Sequence, residues 1–291
     1  MSWRTVVISR RCKLDFKMGY IVIRSEETTR IFLDEISVLM IENPAVSMTG
    51  VLLHELSSRK IKVIFCDVKR MPYGELVPYY GSHDCSRCAR EQAKWTDELK
   101  SLIWAEIVKE KIRKQAWLLK ERGDDRESNI LQRYAGEVQP GAPTNREGLA
   151  AKMYFAALFG SDFSREANGE TNNGALNYGY GLLLSIINRE ICANGYLTQF
   201  GVHHNSVYNC FNLGSDLMEP FRIIVDKMVC EKNFEFFETE EKHQMMEITD
   251  WPVIINGTRQ TVLNAAKIYV KSVFDAIEHK CPDMIRFYDF P

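Results

Sequence analysis

Two histidines stand side by side in "VHHNSVYNCFNLGSDLMEPFR", Val202–Arg222, and Asp216 and Glu219 follow the second of them. An imidazole and two carboxylates drawn together form a donor set for a divalent cation that works on phosphate esters. Such a site wants a further acid from elsewhere in the chain, and Glu147 in "TNREGLAAKMYFAALFG" is the candidate. Each residue also has a purely structural reading. Asp216 as an N-cap with Glu219 three residues on makes a capping-box pattern, and Pro220 then sits in a first turn where its missing N–H is not needed. Phe221, Ile224, Val225 and Met228 follow at helical spacing. Glu147, just after the cap candidates Thr144 and Asn145, is favourable charge at a helix N-terminus. A helix start and half of a metal site are compatible, and spacing alone does not show that Glu147 meets His204.

Other constellations carry less. Cys85-Ser-Arg-Cys88, just after His83, has zinc-knuckle spacing, but no second Cys pair or His pair follows, so no zinc is expected there. No glycine-rich phosphate loop and no nucleophile elbow is present, and Gly179 and Gly181 in "LNYGYGLLL" read as close helix packing. His54, in a Leu-rich helix, reads as a packed histidine, and His243 and His279 read as surface residues. Eight cysteines are scattered without framework spacing, and "MSWRTVVISRR" lacks a signal-type apolar core. The expectation is reduced thiols and a cytoplasmic location, with no membrane partner.

The elements that must position these residues fall into two textures. A chain of 291 residues with 45% hydrophobic and 26% charged content suits a soluble protein of about two domains. "RTVVIS", "KLDFKMGYIVIRS", "RIFLDEISVLMIE" and "IKVIFCD" read as strands, with a hairpin around Gly19 and one short helix in Ser47–Ser58. From Arg90 on, helical period takes over, in Arg90–Arg122, Arg146–Phe159, Asn173–Ala193, Asp216–Cys230, Phe234–Glu247 and Thr261–Lys280. The fold class is α+β, with a β-rich domain over 1–82, a linker over 83–92 and a larger all-α domain over 93–291. Net charge is −2, so a nucleic-acid partner needs a local basic surface. "KEKIRKQAWLLKER", Lys109–Arg122, offers one through Lys109, Lys111, Arg113 and Lys114; the alternative is a solvated face with i,i+4 Glu–Lys pairs.

"NREGLAAKMYFAALFG", "NNGALNYGYGLLLSIINREI" and "GVHH…DLMEPFRIIVD" occur in the order of the motifs of the CRISPR adaptation integrase family, CRISPR-associated protein one, and the chain resembles that family over nearly its whole length. The wording is most similar to the variant of type II systems. The resemblance implies a metal-dependent integrase that joins 3′-hydroxyl ends of short duplex DNA into a repeat array. It carries metal-binding roles onto Glu147, His204 and Glu219, the last an aspartate in many members. Asp216 matches an acid near the metal, whose role as ligand, supporting residue or cap stays open. A substrate that brings its own nucleophile accounts for the missing reactive Ser or Cys. Mg2+ or Mn2+ is the implied ion, the histidine suiting Mn2+. Implied partners are double-stranded DNA, a second copy of the chain paired through the β domain, a CRISPR-associated protein two dimer bridging two such homodimers, other type II adaptation proteins and the effector nuclease. Hydrolysis of branched DNA at the same site, or a helical adaptor with no chemistry, are the competing readings.

Overall fold

The computed structural model describes residues 4–76, 84–141, 145–165 and 171–291. By contact the chain divides into two units, Met1–Cys85 with Cys192–Gly195, and Ser86–Ile191 with Tyr196–Pro291.

The first unit is built on two sheets. β1 (Arg4–Ile8), β5 (Ile36–Ile41) and β7 (Lys62–Cys66) run parallel, and β8 (Pro72–Glu75) pairs antiparallel at the edge. β5 is buried at every residue, as a strand covered on both faces must be. β2 (Lys13–Lys17), β3 (Tyr20–Arg24), β4 (Thr28–Phe32) and the short β6 (Ser47–Met48) form the second sheet, in the order β4-β3-β2-β6. The expected hairpin is present: Met18 and Gly19 close it at φ 51° and 84°, a type I′ pattern that matches strand twist. α1 (Gly50–Ser58) starts at a Thr49 cap. Leu14, Ile21, Leu33, Ile36, Leu39, Leu52 and Val63 fill the core. His54 does not join them; it is exposed on α1.

The second unit is mainly helical: α2 (Cys85–Gln92), α3 (Asp97–Glu121), α4 (Asp125–Gly136), α5 (Arg146–Phe159), α6 (Thr171–Ala193), α7 (Asn212–Leu217), α8 (Arg222–Lys232), α9 (Thr239–Met245) and α10 (Val262–Glu278). α3 lies at its centre, against α4, α5, α8 and α10. Its inward stripe runs Ile103, Ile107, Lys111, Lys114 and Leu118, so two lysines share the apolar face. Gly179 on α6 lets Val225 approach; a Cβ there would lie 2.5 Å from Val225 Cγ1. Two differences from the sequence reading stand out. The unit is not purely helical, because β9 (Pro252–Ile255) and β10 (Thr258–Thr261) form a hairpin, and Ile254 bridges Asp289. The expected single helix Asp216–Cys230 is α7, a 3-10 turn at Glu219–Phe221, and α8. The segment 83–92 is helical from Cys85; Cys85 and Cys88 stand one turn apart on α2, and His83 lies outside the described residues.

No helix among the described residues is long and apolar enough to cross a membrane.

Candidate metal centre

Glu147 is placed by the start of α5. Asn145 caps that helix, its Oδ1 accepting from Gly148 N at 3.3 Å; Thr144, the other expected cap, lies outside the described residues. The Glu147 side chain is 31% exposed in the first turn. Glu219 is placed by the 3-10 turn between α7 and α8, where its side chain is only 5% exposed.

His204 is held by Asp216, and this corrects the capping-box reading. Asp216 lies inside α7, whose N-cap is Phe211, and is fully buried. Its carboxylate caps a loop instead of a helix. Oδ2 accepts from Val202 N at 2.7 Å and His203 N at 3.0 Å. Oδ1 accepts from His204 N at 3.0 Å and lies 2.5 Å from His204 Nδ1. The loop must pass close to do this: a Cβ on Gly201 would lie 2.3 Å from the His204 carbonyl oxygen and 2.6 Å from Asp216 Oδ2. Gln92 braces the approach, its amide bonding Leu197 and Phe200 backbone groups at 2.9 Å. The tandem histidines have separate tasks. His203 stacks flat on Trp104 of α3, ring centroids 4.2 Å apart, while His204 meets Trp104 edge-on.

The two glutamates meet at a third side chain. Lys111 Nζ, on α3, is 2.7 Å from Glu147 Oε1 and 2.6 Å from Glu219 Oε2. Glu219 Oε1 accepts from Arg222 Nε at 2.9 Å, and the Arg222 guanidinium lies over the Tyr180 ring. Burial opposes charge on Glu219, yet Lys111 and then Arg222 outweigh it and hold the carboxyl below its usual range. Burial likewise opposes charge on Lys111, and Glu219 and Glu147 overcome it, raising its pKa. The His204 pKa is raised chiefly by its hydrogen bond to Asp216, against burial; Glu219 and Glu147 add to the rise. Both carboxylates therefore act on the imidazole, which brings the three distant sequence blocks into one electrostatic site.

Fit to a cation follows from donor chemistry. Asp216 engages His204 Nδ1, so Nε2 is the ring nitrogen turned away from it, the arrangement that suits a metal-binding imidazole once that nitrogen is deprotonated. Glu219 Oε2 is buried and has no aligned hydrogen bond, only the Lys111 charge beside it. Two carboxylate side chains and one oriented imidazole suit Mn2+ or Mg2+. Among the described residues, however, no group of three His, Cys, Asp or Glu side chains stands ready-made around a metal position. The point on which the two carboxylates converge is taken by the Lys111 ammonium.

The basic stretch of α3 is not a uniform surface. Lys114 is buried, 2.9 Å from Glu110 and hydrogen-bonded to the Tyr288 carbonyl, with its ammonium 4.0 Å from the Tyr288 ring centre. Lys111 is half-buried between the two glutamates, so both ammonium groups are engaged by protein partners. Lys109 pairs with Glu106 at 2.6 Å. Arg113 alone of the four has a largely open side chain, 53% exposed. Sequence reasoning missed the roles of Lys111, Arg222, Trp104 and Gln92. The inward helical stripe was the one signal for Lys111 and Lys114; Gln92 gave none.

Two carboxylates on one lysine ammonium, with an oriented imidazole, are carried by a helical unit in a chain that also has a β-rich unit. The family model described as CRISPR associated protein Cas1 matches residues 5–235. A CRISPR-associated endonuclease Cas1 of Neisseria meningitidis serogroup C (strain 8013) is 35% identical over 230 residues, covering 79% of this chain and 75% of the relative. The chain belongs to the Cas1 family. Solved structures share the fold. A casposase bound to integration product superposes at TM-score 0.76 with 18% identity, over 96% of this chain and 91% of that one. A Cas6-RT-Cas1–Cas2 complex superposes at 0.74 with 16% identity, over 97% of this chain and 36% of that longer one.

Proposed function

We propose that the chain is a metal-dependent DNA integrase of CRISPR spacer acquisition, joining 3′-hydroxyl ends of short duplex DNA into a repeat array by transesterification. The observation that carries this is the convergence of Glu147 and Glu219 on one cationic position, with His204 fixed by Asp216 beside them. Glu147, Glu219 and His204 Nε2 would hold Mg2+ or Mn2+. When bound, the ion lowers the pKa of the attacking hydroxyl and offsets charge on the phosphate and the leaving oxygen. Asp216 keeps the Nδ1 proton on its own side and orients the ring. Arg222 fixes one oxygen of Glu219 and leaves the other for the site. Trp104, through His203, steadies the loop that carries His204.

The Neisseria relative is named an endonuclease, and hydrolysis would use the same ligands with water in place of the DNA hydroxyl. One assay separates the two: labelled short duplex and a repeat plasmid, incubated with the protein and Mn2+ or Mg2+. Labelled plasmid is the expected product. Nicking or cleavage with no joined product assigns hydrolysis.

The proposal extends to partners. One neighbour by fold is a Cas6-RT-Cas1–Cas2 complex, which supports Cas2 as a partner; the form proposed is a Cas2 dimer that bridges two homodimers of this chain. Pairing of the copies through the β-rich unit is supported by β4, an open sheet edge, and by exposed Met18, Tyr20 and Phe32 beside it. A monomeric mass at micromolar concentration rejects that pairing. Type II adaptation proteins and the effector nuclease belong to the same proposal, tested by co-purification.

A further inference from the structure

Two cations meet the proposed ligands: Arg222 pairs with Glu219 alone, and Lys111 lies between Glu219 and Glu147. The single Nζ atom of Lys111 touches one oxygen from each carboxylate, at 2.7 and 2.6 Å. Those oxygens come from α5 and from the turn before α8, so no local helix rule pairs them with α3. A divalent ion coordinates carboxylate oxygens at about 2.0–2.6 Å. An ion within that reach of both oxygens needs the space that the ammonium fills. Lysine suits a temporary occupant: its charge is compact, and it rides on a flexible four-carbon stem. Glu147 is nearly one-third exposed, so the site has an open side.

We propose that Lys111 is a built-in placeholder for the cation. Its ammonium holds Glu147 and Glu219 together while no divalent ion is bound, and binding of the ion displaces it. The inference rests on the metal reading above and goes beyond it. It says that the chain competes with its own cofactor, trading affinity for a site that is assembled beforehand. Without the lysine, two carboxylates, one of them 5% exposed, would face each other with Arg222 as the nearest compensating charge.

The test compares the full-length wild type with Lys111→Met, which keeps most of the stem and removes the charge. Isothermal titration with MnCl2 gives the dissociation constant, and thermal unfolding is recorded in EDTA and in saturating Mn2+. The expected result is about tenfold tighter Mn2+ binding in Lys111→Met. A lower Tm in EDTA and a larger rise on adding Mn2+ should accompany it. Equal or weaker binding by the variant overturns the placeholder. In that case the metal reading still stands if the wild type binds Mn2+ and Glu147→Gln weakens it. Binding by neither protein removes both readings. A second measurement needs no variant to fold: acetylation of wild-type lysines by an N-hydroxysuccinimide ester, read by mass spectrometry. Lys111 should label slowly in EDTA and several-fold faster in saturating Mn2+, with other lysines unchanged. Slow labelling of Lys111 in both conditions contradicts displacement.

Discussion

Asp216→Ala should be among the most damaging single changes in the helical unit. The carboxylate is fully buried and takes three backbone amides and the His204 ring, at 2.5–3.0 Å. Hydrogen bonds to a charged group contribute about 1.5–3 kcal/mol each, but these four do not add. Once the carboxylate is gone the loop relaxes and its amides recover part of their hydration. Breaking a buried ionic hydrogen-bonded cluster costs about 3–5 kcal/mol, and that is the expected loss here. A helix cap would cost about 1 kcal/mol. For a unit of this size the loss lowers Tm by roughly 6–20 °C. Urea unfolding at pH 7 followed by tryptophan fluorescence measures it, since Trp104 stacks on His203 within the affected loop. Asp216→Asn should fall between wild type and Ala, because one amide oxygen still accepts while the NH2 group opposes a backbone donor. Both variants should lose Mn2+ affinity with the His204 orientation. A stability loss near 1 kcal/mol with unchanged Mn2+ binding would refute this account of Asp216.

Glu147→Ala, His204→Ala and Glu219→Ala should each abolish strand transfer while duplex binding largely persists, since affinity comes from many phosphate contacts. Wild-type joining by Glu219→Gln removes Glu219 from the site. Arg113→Ser should lower duplex affinity and flatten its salt dependence, whereas Lys114→Met should act on thermal stability, because Lys114 is buried against Glu110 and Tyr288. Equal salt slopes for wild type and Arg113→Ser make that face of α3 merely solvated. Asp226, bonded by Tyr154 and Tyr180, has its pKa pushed by burial from 3.8 up to about 6. The native state therefore holds a proton that the unfolded chain has lost between those values. Stability contributed by Asp226 thus falls as pH rises from about 4 to about 6, by about 3 kcal/mol in all, then levels off. Asp226→Asn should erase that slope; urea unfolding from pH 4.5 to 7 that shows parallel curves for the two proteins contradicts it.

How far the sequence reached depended on whether a residue's partner was local. Arg146–Phe159 was read with its bounds because an Asn145 cap and an apolar period both lie within one helix. The β2–β3 hairpin was legible from Gly19 for the same reason. Asp216 misled because its partners, residues 202–204, lie 12–14 positions upstream, and a carboxylate that caps a distant loop has the same local spelling as one that caps a helix. With Asp216 drawn inside α7, Pro220 falls in the 3-10 turn and the expected helix divides there. α4 was missed because it buries little more than Ser128, Leu131 and Ala135, too thin a stripe to give a period. The β9–β10 hairpin carried its own signal in Asn256–Gly257, which the surrounding helical texture hid. Lys111 has the local spelling of a phosphate-contacting or solvated lysine, and only its long-range pairing with Glu147 and Glu219 sets it apart.

Crystals grown with MnCl2 and measured at the manganese edge test the central claim most directly. One anomalous peak is expected within about 2.0–2.6 Å of a Glu147 oxygen, a Glu219 oxygen and His204 Nε2. Lys111 Nζ should have moved away from both carboxylates. No peak there at saturating Mn2+, or a peak held by other residues, would contradict the account.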